Sequence, residues 1–319
     1  MDVSIIIVNY HSTQMIVDCV KSIREQTSGL QYEILVVDNG SSAEERSVFS
    51  ERVGESVHLI PAEKNLGFGK ANNLGASQAA GKYLFLLNPD TILMNNAVKI
   101  LFDYLDGHPE TGIVGGNLYS PDGKPTGSYC LSFDDPVMEI EASKWSALLK
   151  KKLREKLGKK NAPPFAASFN YSDSPRPVAY IYGADMMLSK TLFEEIGGFD
   201  PEFFMYAEEE ELTWRIQQKG YQVFCVPAAK IIHLEGATQK SDASFSEQQF
   251  RMRMNGKLIF YKKCYGMKEM ETFYRFRCRQ YRRLIRLAQL RGRRAEDTQA
   301  YTMLNCLQDE YRKYTSKNT

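Results

Sequence analysis

Four consecutive carboxylates, Glu208 to Glu211, stand in the stretch YAEEEELTWR, where the sequence turns into a helical pattern. A carboxylate that faces a bound substrate can act as a general base and remove the proton of a hydroxyl group. Acidic residues in the first turn of a helix are also favoured by the helix dipole, so a charged, solvated helix entrance is the alternative interpretation. The run therefore raises proton transfer as a hypothesis that the rest of the chain has to test.

Helical spacing distinguishes the members of this run. Leu212 and Ile216 define the buried face of the helix, and at 100° per residue Glu209 lies about 40° from the centre of that face. Glu210 lies about 140° from the same centre, which predicts a side chain that faces solvent. The spacing favours Glu209 as the inward-facing carboxylate, with Glu208 as its nearest competitor.

Three further residues that could carry chemistry stand at the ends of apolar runs. Asp90 follows LFLLNP, Asp38 follows ILVV, and His233 closes AAKII. A charged acid at the tip of a buried strand is costly unless it has a partner, so each aspartate is a candidate binding residue. Both aspartates could equally be turn-forming residues. A lone histidine in such a place is more often a core residue whose hydrogen bonds are satisfied within the protein.

A glycine-rich stretch, NLGFGKANNLG at 65–75, opens a predicted helix. Glycines at such a place let the backbone approach a phosphate closely at a helix N-terminus. The stretch is not GxGxxG and follows the third predicted strand rather than the first, so the dinucleotide fingerprint is absent. This disfavours an NAD-binding enzyme.

The elements that must position these residues alternate along the first half of the chain. The predicted strands are 3–10, 32–41, 57–65 and 82–91, and the predicted helices are 13–26, 71–80 and 96–107. Such alternation predicts βαβ units and a mostly parallel sheet. In these sheets the ligand site lies beyond the carboxyl ends of the strands, where polar residues gather: Asn9, Asp38, Asn39, Asn65, Asn88 and Asp90.

Composition bounds the environment of the protein. The chain has 319 residues and six scattered cysteines without a CxxC pair, which favours reduced thiols in a cytoplasm over a disulfide framework. The N-terminus has no basic region or cleavage site, so we expect no signal peptide, and no apolar run approaches the length of a membrane span. These features predict a cytoplasmic protein, soluble or peripheral.

Charge is distributed unevenly. Residues 251–294 contain 15 Lys and Arg against two acids, whereas residues 1–250 contain 23 against 33. We predict a domain over 1–245 with a basic helical insert at about 136–175, followed by a helical, basic extension over 246–319. Such an arm meets an anionic partner, a membrane surface or a nucleic acid, unless it is a solvated face or a dimer contact. Tyr281, Leu284, Ile285 and Ala288 share one helical face bordered by arginines, which is typical of an interfacial helix on anionic lipid.

Several motifs occur together in an order that resembles one family. SIIIVNYHS, ILVVDNGSS, NLGFGKANNLG, FLLNPDT, GADMMLSKTLFEEIGGFDPEFFMYAEEEELTWRIQQKGY and the later His233 resemble the inverting family 2 glycosyltransferases of GT-A fold, in particular their bacterial rhamnosyltransferase-like branch. The resemblance covers roughly residues 3–235. It implies an α/β, Rossmann-like nucleotide-diphospho-sugar transferase with a mixed, mostly parallel sheet flanked by helices.

The resemblance also implies roles for individual residues. Asp38 would accept a hydrogen bond from the nucleobase, and Asp90 would hold Mg²⁺ or Mn²⁺ against the diphosphate with His233 completing the metal shell. Glu209 stands where the family has its catalytic aspartate and would be the general base, with Glu208 as the alternative. The donor would contact Asn9, Tyr10, Asp38, Asn65, Gly67, Phe68, Asn73 and Asn88. The acceptor would contact Gly183, Ala184, Asp185 and Trp214.

Two positions depart from the family pattern. Asn88 replaces the first metal carboxylate, which leaves Asp90 as the acid of that motif. Glu209 is one methylene longer than the usual aspartate, so a shift of the helix must absorb its reach. A histidine ligand suits Mn²⁺ better than Mg²⁺.

The implied function is metal-dependent, inverting transfer of a sugar, L-rhamnose from dTDP-rhamnose, to a hydroxyl of a glycan or polyprenyl-diphosphate-linked acceptor. The product would belong to a bacterial cell-surface polysaccharide such as cell wall, capsule or O-antigen, made at the inner face of the plasma membrane. Galactosyl, glucosyl or galactofuranosyl transfer from a UDP-sugar is the alternative. A second copy of the chain is an alternative partner for the basic helices, and no nucleic acid is expected. The competing class is a non-catalytic nucleotide- or polyanion-binding protein.

Overall fold

The computed structural model describes residues 1–54, 57–142, 168–234 and 245–315 of the chain. Within these residues the strands, in chain order, are β1 Val3–Asn9, β2 Tyr32–Asn39, β3 Val57–Ala62, β4 Tyr83–Leu87, β5 Thr91–Leu93, β6 Thr111–Tyr119, β7 Tyr129–Cys130, β8 Arg176–Pro177, β9 Tyr180–Ile181, β10 Asp185–Ser189 and β11 Gln222–His233. The helices are α1 Thr13–Gln26, α2 Ala43–Val53, α3 Phe68–Gln78, α4 Ala97–Gly107, α5 Pro136–Ala142, α6 Lys190–Glu195, α7 Glu208–Gln218, α8 Glu247–Cys264, α9 Met267–Gln289 and α10 Gln299–Thr315.

The main sheet has the strand order β3-β2-β1-β4-β10-β6-β11-β5, and β8 pairs with β11. Strands β3, β2, β1 and β4 run parallel, as do β6 and β11, whereas β10 runs antiparallel to both of its neighbours. The predicted mixed α/β sheet flanked by helices is confirmed. Its consequence for function is that β1, β2 and β4 deliver their carboxyl ends to one edge.

Two apolar layers enclose the sheet. Every residue of β1 is buried, because β-branched side chains of a central parallel strand pack on both faces. One layer takes in the buried stripe of α1, which runs along one face at helical spacing and includes Ile16 and Ile23. The opposite layer takes in Ala71 from α3 and Leu212 and Ile216 from α7. The helix that carries the glutamate run is therefore fixed to the sheet through its apolar face.

The chain divides into two compact units. The first consists of Met1–Phe133, Pro164–Phe204 and Glu208–Ser241, and the second of Asp134–Pro163, Met205–Ala207 and Asp242–Thr319. The main sheet lies in the first unit, and α5, α8, α9 and α10 lie in the second. The predicted division at residue 245 stays a prediction. Beyond α5, the predicted basic insert lies outside the described residues until residue 168.

The second unit is held together by a cluster of partly buried charges as well as by apolar packing. Glu139 of α5 accepts hydrogen bonds from Lys257 Nζ at 2.9 Å and Tyr261 Oη at 2.8 Å, both on α8, and pairs with Arg277 of α9. These contacts join three helices at one carboxylate. Among the residues that the structure describes, no helix has the apolar length to cross a bilayer.

Candidate active site

The carboxyl ends of β1 and β2 bring Asn9 and Asp38 side by side, because these two residues are register partners. Asn9 Nδ2 donates a hydrogen bond to Asp38 Oδ1 at 3.3 Å, and Asn9 Oδ1 accepts from the backbone N–H and the hydroxyl of Ser12, both at 3.1 Å. Both side chains are buried, whereas Tyr10 is exposed. Of the three residues predicted for this part of the donor pocket, Tyr10 is thus the one with an open side chain.

The glycine-rich loop is fastened by two asparagines. Asn65 Oδ1 accepts from the Gly67 N–H at 2.9 Å and from Asn39 Nδ2 at 3.0 Å, and Asn39 Oδ1 accepts from the Leu66 N–H at 2.7 Å. The sequence places Asn39 among the polar residues at the strand ends but assigns it no role of its own. Its paired amide contacts tie the end of β2 to the start of α3, so the loop beside the predicted nucleotide site is held in one conformation.

The same loop is also fixed to the segment that leads to the glutamate run. Gly67 has φ of 84°, and a Cβ placed on it would lie 2.1 Å from the carbonyl oxygen of Phe204. The Phe68 N–H donates to that carbonyl at 3.1 Å. Glycine is therefore required at position 67 both by its backbone conformation and by the close approach of Phe204. Asn73 lies deeper and brackets the backbone of Phe199 with hydrogen bonds of 2.8 and 2.9 Å, so its contribution is to position the loop.

Asp90 and His233 meet because of strand pairing. Thr91 opens β5, and β5 pairs antiparallel with the end of β11 so that Thr91 is the register partner of His233. The Leu234 N–H donates to the Asp90 carbonyl at 2.9 Å. As a result His233 Nε2 lies 3.4 Å from Asp90 Oδ1, with 16% and 7% of the two side chains exposed. Two residues far apart in the sequence thus form one small polar site.

The turn before Asp90 is anchored on both sides. The Asn88 N–H donates to the Ala184 carbonyl at 2.9 Å, and the Thr91 hydroxyl donates to the Asn88 carbonyl at 2.7 Å. Cys19 Sγ of α1 lies 3.5 Å from Thr91 Oγ1. These contacts fix the turn against β10 and α1, so Asp90 is presented from a rigid frame.

The residues present fit a divalent cation that shares its coordination with a ligand. Asp90 offers carboxylate oxygen and His233 offers imidazole nitrogen, and His233 Nδ1 is buried without a hydrogen-bond partner among the described residues. Within residues 1–54, 57–142, 168–234 and 245–315, no group of three or more His, Cys, Asp or Glu is arranged as a complete metal site. A cation at Asp90 would therefore take its other ligands from phosphate oxygens and water, as Mg²⁺ does at nucleotide sites.

The glutamate run opens α7, and the structure corrects one of its predicted orientations. Glu210 is 4% exposed, so the prediction that it faces solvent is wrong. The apolar face defined by Leu212 and Ile216 is not the only covered side of this helix, since Glu208 and Glu211 are 3% exposed as well. Glu209 is the one member of the run with intermediate exposure.

Glu209 lies directly against Gly183. A Cβ placed on Gly183 would be 3.7 Å from the Cβ, Cγ and Cδ atoms of Glu209, which is ordinary van der Waals contact. Gly183 adjoins Ala184, whose carbonyl holds the Asn88 turn. A short, continuous path of contacts thus joins the candidate base to the turn that carries Asp90.

Glu208 is in a different electrostatic state from Glu209. Burial, reinforced by the negative charge of Glu209, raises the pKa of the Glu208 carboxyl well above its usual value. Its Oε2 atom is buried without a hydrogen-bond partner among the described residues. A buried carboxyl without such a partner favours its neutral form, and a neutral carboxyl cannot accept a proton.

On the predicted acceptor side, the structure separates surface residues from core residues. Ala184 and Asp185 are 1% and 0% exposed, so neither can touch an acceptor. The predicted acceptor contacts of these two residues are wrong, and both residues belong to the core of the sheet. The reason is that β10 inserts between β4 and β6 in the middle of the sheet. Asp185 Oδ2 accepts from the Gly116 N–H at 2.5 Å, and burial raises the pKa of its carboxyl. Gly183 and Trp214 remain candidates.

An aromatic wall continues from Trp214, and sequence reasoning missed it. The Trp214 ring packs edge-on against the Phe133 ring, with 5.0 Å between the ring centroids. Phe133 in turn stacks on Tyr180 with a centroid distance of 5.9 Å, and the Tyr180 and Tyr182 centroids are 6.4 Å apart. Tyr182 is 37% exposed and directly precedes Gly183. Flat aromatic surface next to the residue that contacts Glu209 is suited to a sugar ring or a lipid chain.

Comparison with curated proteins finds relatives that are glycosyltransferases. The chain is 26% identical over 217 residues to N-acetylglucosaminyl-diphospho-decaprenol L-rhamnosyltransferase of Mycobacterium tuberculosis, covering 63% of this chain and 66% of the relative. It is 27% identical over 208 residues to dTDP-rhamnosyl transferase RfbF of Shigella flexneri, covering 64% and 60%. It is 28% identical over 244 residues to hexosyltransferase Agl10 of Haloferax volcanii, covering 75% and 69%. The matched region is just under two thirds of the length of the mycobacterial relative.

Solved structures share the fold at low identity. GalNAc-T7 in complex with UDP, GalNAc and Mn²⁺ superposes with a TM-score of 0.58 at 16% identity, over 98% of this chain and 54% of that one. S. aureus TarS 1-349 superposes with a TM-score of 0.50 at 14% identity, over 100% and 74%. These likenesses confirm the GT-A-like fold of the described sheet.

Two family models match overlapping parts of the sequence. Residues 163–237 match the family described as the N-terminal domain of galactosyltransferase. Residues 4–171, more than half of the chain, match the family described as glycosyl transferase family 2. The chain therefore belongs to glycosyltransferase family 2.

Proposed function

We propose that the protein is a metal-dependent, inverting glycosyltransferase that moves L-rhamnose from dTDP-rhamnose to a hydroxyl of a glycan or polyprenyl-diphosphate-linked acceptor. The observation that supports the proposal is the contact path from Glu209 through Gly183 and Ala184 to the turn before Asp90, which connects the candidate base to the candidate cation site. The rhamnosyltransferase relatives from M. tuberculosis and S. flexneri support rhamnose as the sugar. UDP and Mn²⁺ in the GalNAc-T7 structure support a nucleotide donor and a divalent cation.

Inverting transfer is a single displacement. The acceptor oxygen forms a bond to the anomeric carbon while the bond from that carbon to the nucleotide diphosphate breaks, and the acceptor proton goes to the base. Glu209 is the residue that takes this proton, because its side chain is partly open beside Gly183. Positioned general bases typically contribute about 10²- to 10⁴-fold in rate.

Asp90 and His233 would hold the cation on the donor side. A divalent ion bound there supplies positive charge against the diphosphate leaving group. The rigid frame around Asp90 keeps the carboxylate oriented. Among the residues that the structure describes, none pairs with His233 Nδ1, so the contact of the ring with protein is through Nε2 and Asp90.

Glu208 is the competing candidate for the base, and its surroundings argue against it. It is 3% exposed, which closes it to an acceptor, and burial raises the pKa of its carboxyl, which favours the neutral form. The two candidates predict opposite results for two isosteric variants. Glu209→Gln is expected to keep nucleotide binding and to lose transfer about 10²- to 10⁴-fold, whereas Glu208→Gln keeps most of its activity.

The test measures sugar transfer from dTDP-rhamnose and UDP-sugars by wild type and both variants, together with calorimetric titrations of dTDP, UDP and GDP with and without Mn²⁺. Transfer from UDP-galactose or UDP-glucose alone would replace rhamnose by another sugar and leave the mechanism intact. Full turnover by Glu209→Gln would remove Glu209 from the mechanism. Salt-sensitive binding of DNA or RNA without any turnover would favour the non-catalytic class instead.

The basic extension supports a location at an anionic membrane, but the face of α9 that would contact lipid differs from the predicted one. Tyr281 and Ile285 are buried, so they form the packing side of α9 rather than the lipid side predicted for them. At the C-terminal end of α9 and directly after it, the exposed apolar residues are Leu284, Leu287 and Leu290. Among the described residues no ion-pair partner lies within reach of the neighbouring exposed arginines, Arg279, Arg282, Arg283 and Arg286.

Each such arginine is worth about 1 kcal/mol near an anionic leaflet, and the leucines add apolar burial. Flotation with phosphatidylglycerol vesicles at low salt is expected to carry the protein upward, and a Leu287→Gln, Leu290→Gln variant is expected to float poorly. Met267→Gln is the matched control, because this exposed residue lies at the other end of α9. Binding that is insensitive to both leucines, or a concentration-dependent dimer that they abolish, would assign the surface to another partner.

A further inference from the structure

The nucleobase end of the candidate donor site is closed by an arginine that no sequence motif singled out. Asp38, which the family resemblance assigns to the nucleobase, has 1% of its side chain exposed. Its Oδ1 accepts from Asn9 Nδ2 at 3.3 Å, and its Oδ2 lies 3.4 Å from Arg46 Nη1. Both carboxylate oxygens already have protein neighbours and almost no open surface, so a base cannot reach Asp38 while Arg46 stays in place.

Arg46 is anchored on one side and open on the other. It lies in the first turns of α2, and its Nη1 also donates to the Ser41 carbonyl at 3.1 Å. A third of its side chain is exposed. A guanidinium has five N–H donors, and neither Nε nor Nη2 of Arg46 donates to any residue that the structure describes. Asp38 thus holds a charged donor group whose remaining N–H groups are available to a ligand.

The strand order sets which end of a nucleotide would meet this group. The Asp90 turn follows β4, whereas Arg46 follows β2, and β1 lies between these two strands. A nucleotide whose diphosphate sits at Asp90 therefore extends its base toward Arg46, with the ribose between them. The edge of the base that arrives there is the one farthest from the ribose, and in a pyrimidine that edge carries position 4.

The chemistry of position 4 separates the pyrimidines. Uracil and thymine have a carbonyl oxygen there, which accepts hydrogen bonds, whereas cytosine has an amino group, which donates. An arginine offers donors and no acceptor, so it pairs with the carbonyl and not with the amino group. We propose that Arg46, held in place by Asp38, is the specificity-determining residue for the nucleobase and selects uridine and thymidine diphosphates over cytidine diphosphate. This inference rests on the proposed function, since it concerns the donor of the same site.

The test compares affinities for UDP, dTDP and CDP in the presence of Mn²⁺ by calorimetry. Wild type is expected to bind UDP and dTDP about ten- to a hundredfold more tightly than CDP, the size expected of one charge-assisted hydrogen bond. In Arg46→Met the ratio is expected to fall to near 1, through weaker binding of UDP and dTDP. Arg52→Met is the matched control, because Arg52 lies on the same helix and its Nη1 contacts only Gln14 among the described residues.

Each outcome has a separate meaning. If wild type binds none of the three nucleotides, the proposed function fails. If wild type binds UDP and Arg46→Met keeps the same ratio to CDP, the inference about Arg46 fails while the proposed function stands. An equal loss for all three nucleotides, with a lowered unfolding midpoint, would make Arg46 a structural clamp and also overturns the inference. Should Arg46→Met not fold, Arg46→Lys replaces it, because lysine keeps the charge over Asp38 and loses the planar donor fork.

Discussion

Replacement of Arg215 by alanine is expected to destabilise the helix that carries Glu209 more than any other single change on its surface. Arg215 Nε and Nη2 donate to the two carboxylate oxygens of Glu211, each at 2.7 Å, and the guanidinium also donates to the carbonyls of Ile196 at 2.7 Å and Gly198 at 2.8 Å. The side chain of Glu211 is 4% exposed. The variant would therefore leave a buried carboxylate without its counter-charge and two carbonyls without their donor.

The expected loss follows from this geometry. Removal of one partner of a buried ion pair costs about 3–5 kcal/mol, because the remaining charge is left in a poorly solvated place. Arg215 itself is 29% exposed, so water entering the vacated volume offsets part of the cost. We therefore expect about 3 kcal/mol for Arg215→Ala, the lower end of that range.

Urea unfolding followed by far-UV circular dichroism measures the difference. Lys219→Ala is the matched control, because Lys219 follows the same helix and pairs with Glu195 at the surface, where both side chains are about half exposed. Exposed pairs are worth about 0–1 kcal/mol, so the control should hardly change. The double variant Glu211→Gln, Arg215→Ala should recover part of the loss, since it no longer buries a charge. A loss below about 1 kcal/mol for Arg215→Ala, or strict additivity in the double variant, would refute the reasoning.

Three further outcomes follow from the site. Glu208→Gln removes a carboxyl whose pKa is raised in the folded protein by burial and by Glu209. Below the ordinary glutamate pKa this carboxyl is protonated in both the folded and the unfolded wild type. Above that pKa the unfolded state ionises first, so the wild type should lose stability as pH rises. The variant should therefore gain stability relative to wild type between pH 5 and pH 8 in urea unfolding, and a constant difference would contradict this. Gly67→Ala should lower the thermal midpoint and weaken nucleotide binding, because its Cβ meets the Phe204 carbonyl; an unchanged variant would show that the loop moves freely. Asp90→Asn should weaken UDP or dTDP binding at least about tenfold with Mn²⁺ and little without it, in calorimetry; equal titrations would exclude Asp90 as a cation ligand.

Sequence patterns predicted the first half of the fold closely where apolar periodicity is strong. The helix predicted over 13–26 has the bounds of α1, because Ile16, Val20 and Ile23 keep a clean apolar stripe. Helix α2 was missed, since AEERSVFSERV is mostly polar and its apolar residues are few. The antiparallel insertion of β10 was not foreseen either, because strand direction depends on partners that periodicity does not reveal.

The candidate site was predictable in its residue types and less so in its burial. Asp90 and His233 were paired through the family resemblance, and strand pairing brings them to 3.4 Å. The orientation of Glu210 was mistaken because a helical wheel counts one apolar face, whereas a helix inside a folded unit can be covered on more than one side. Asp185 lies in the core for a related reason, since a polar residue in a strand gives no sign of which neighbours will enclose it. The sequence did not predict a role for Arg46, because that role depends on its contact with Asp38, which only the folded structure shows.

The central claim is that Asp90 and His233 hold a divalent cation at the edge of the sheet where the donor diphosphate binds. Diffraction from crystals soaked with Mn²⁺ and dTDP, recorded at the manganese absorption edge, tests it directly. The claim predicts an anomalous peak at about 2.0–2.6 Å from a carboxylate oxygen of Asp90, in contact with His233 Nε2 and with the diphosphate. Bound nucleotide with its manganese peak away from both residues would contradict it.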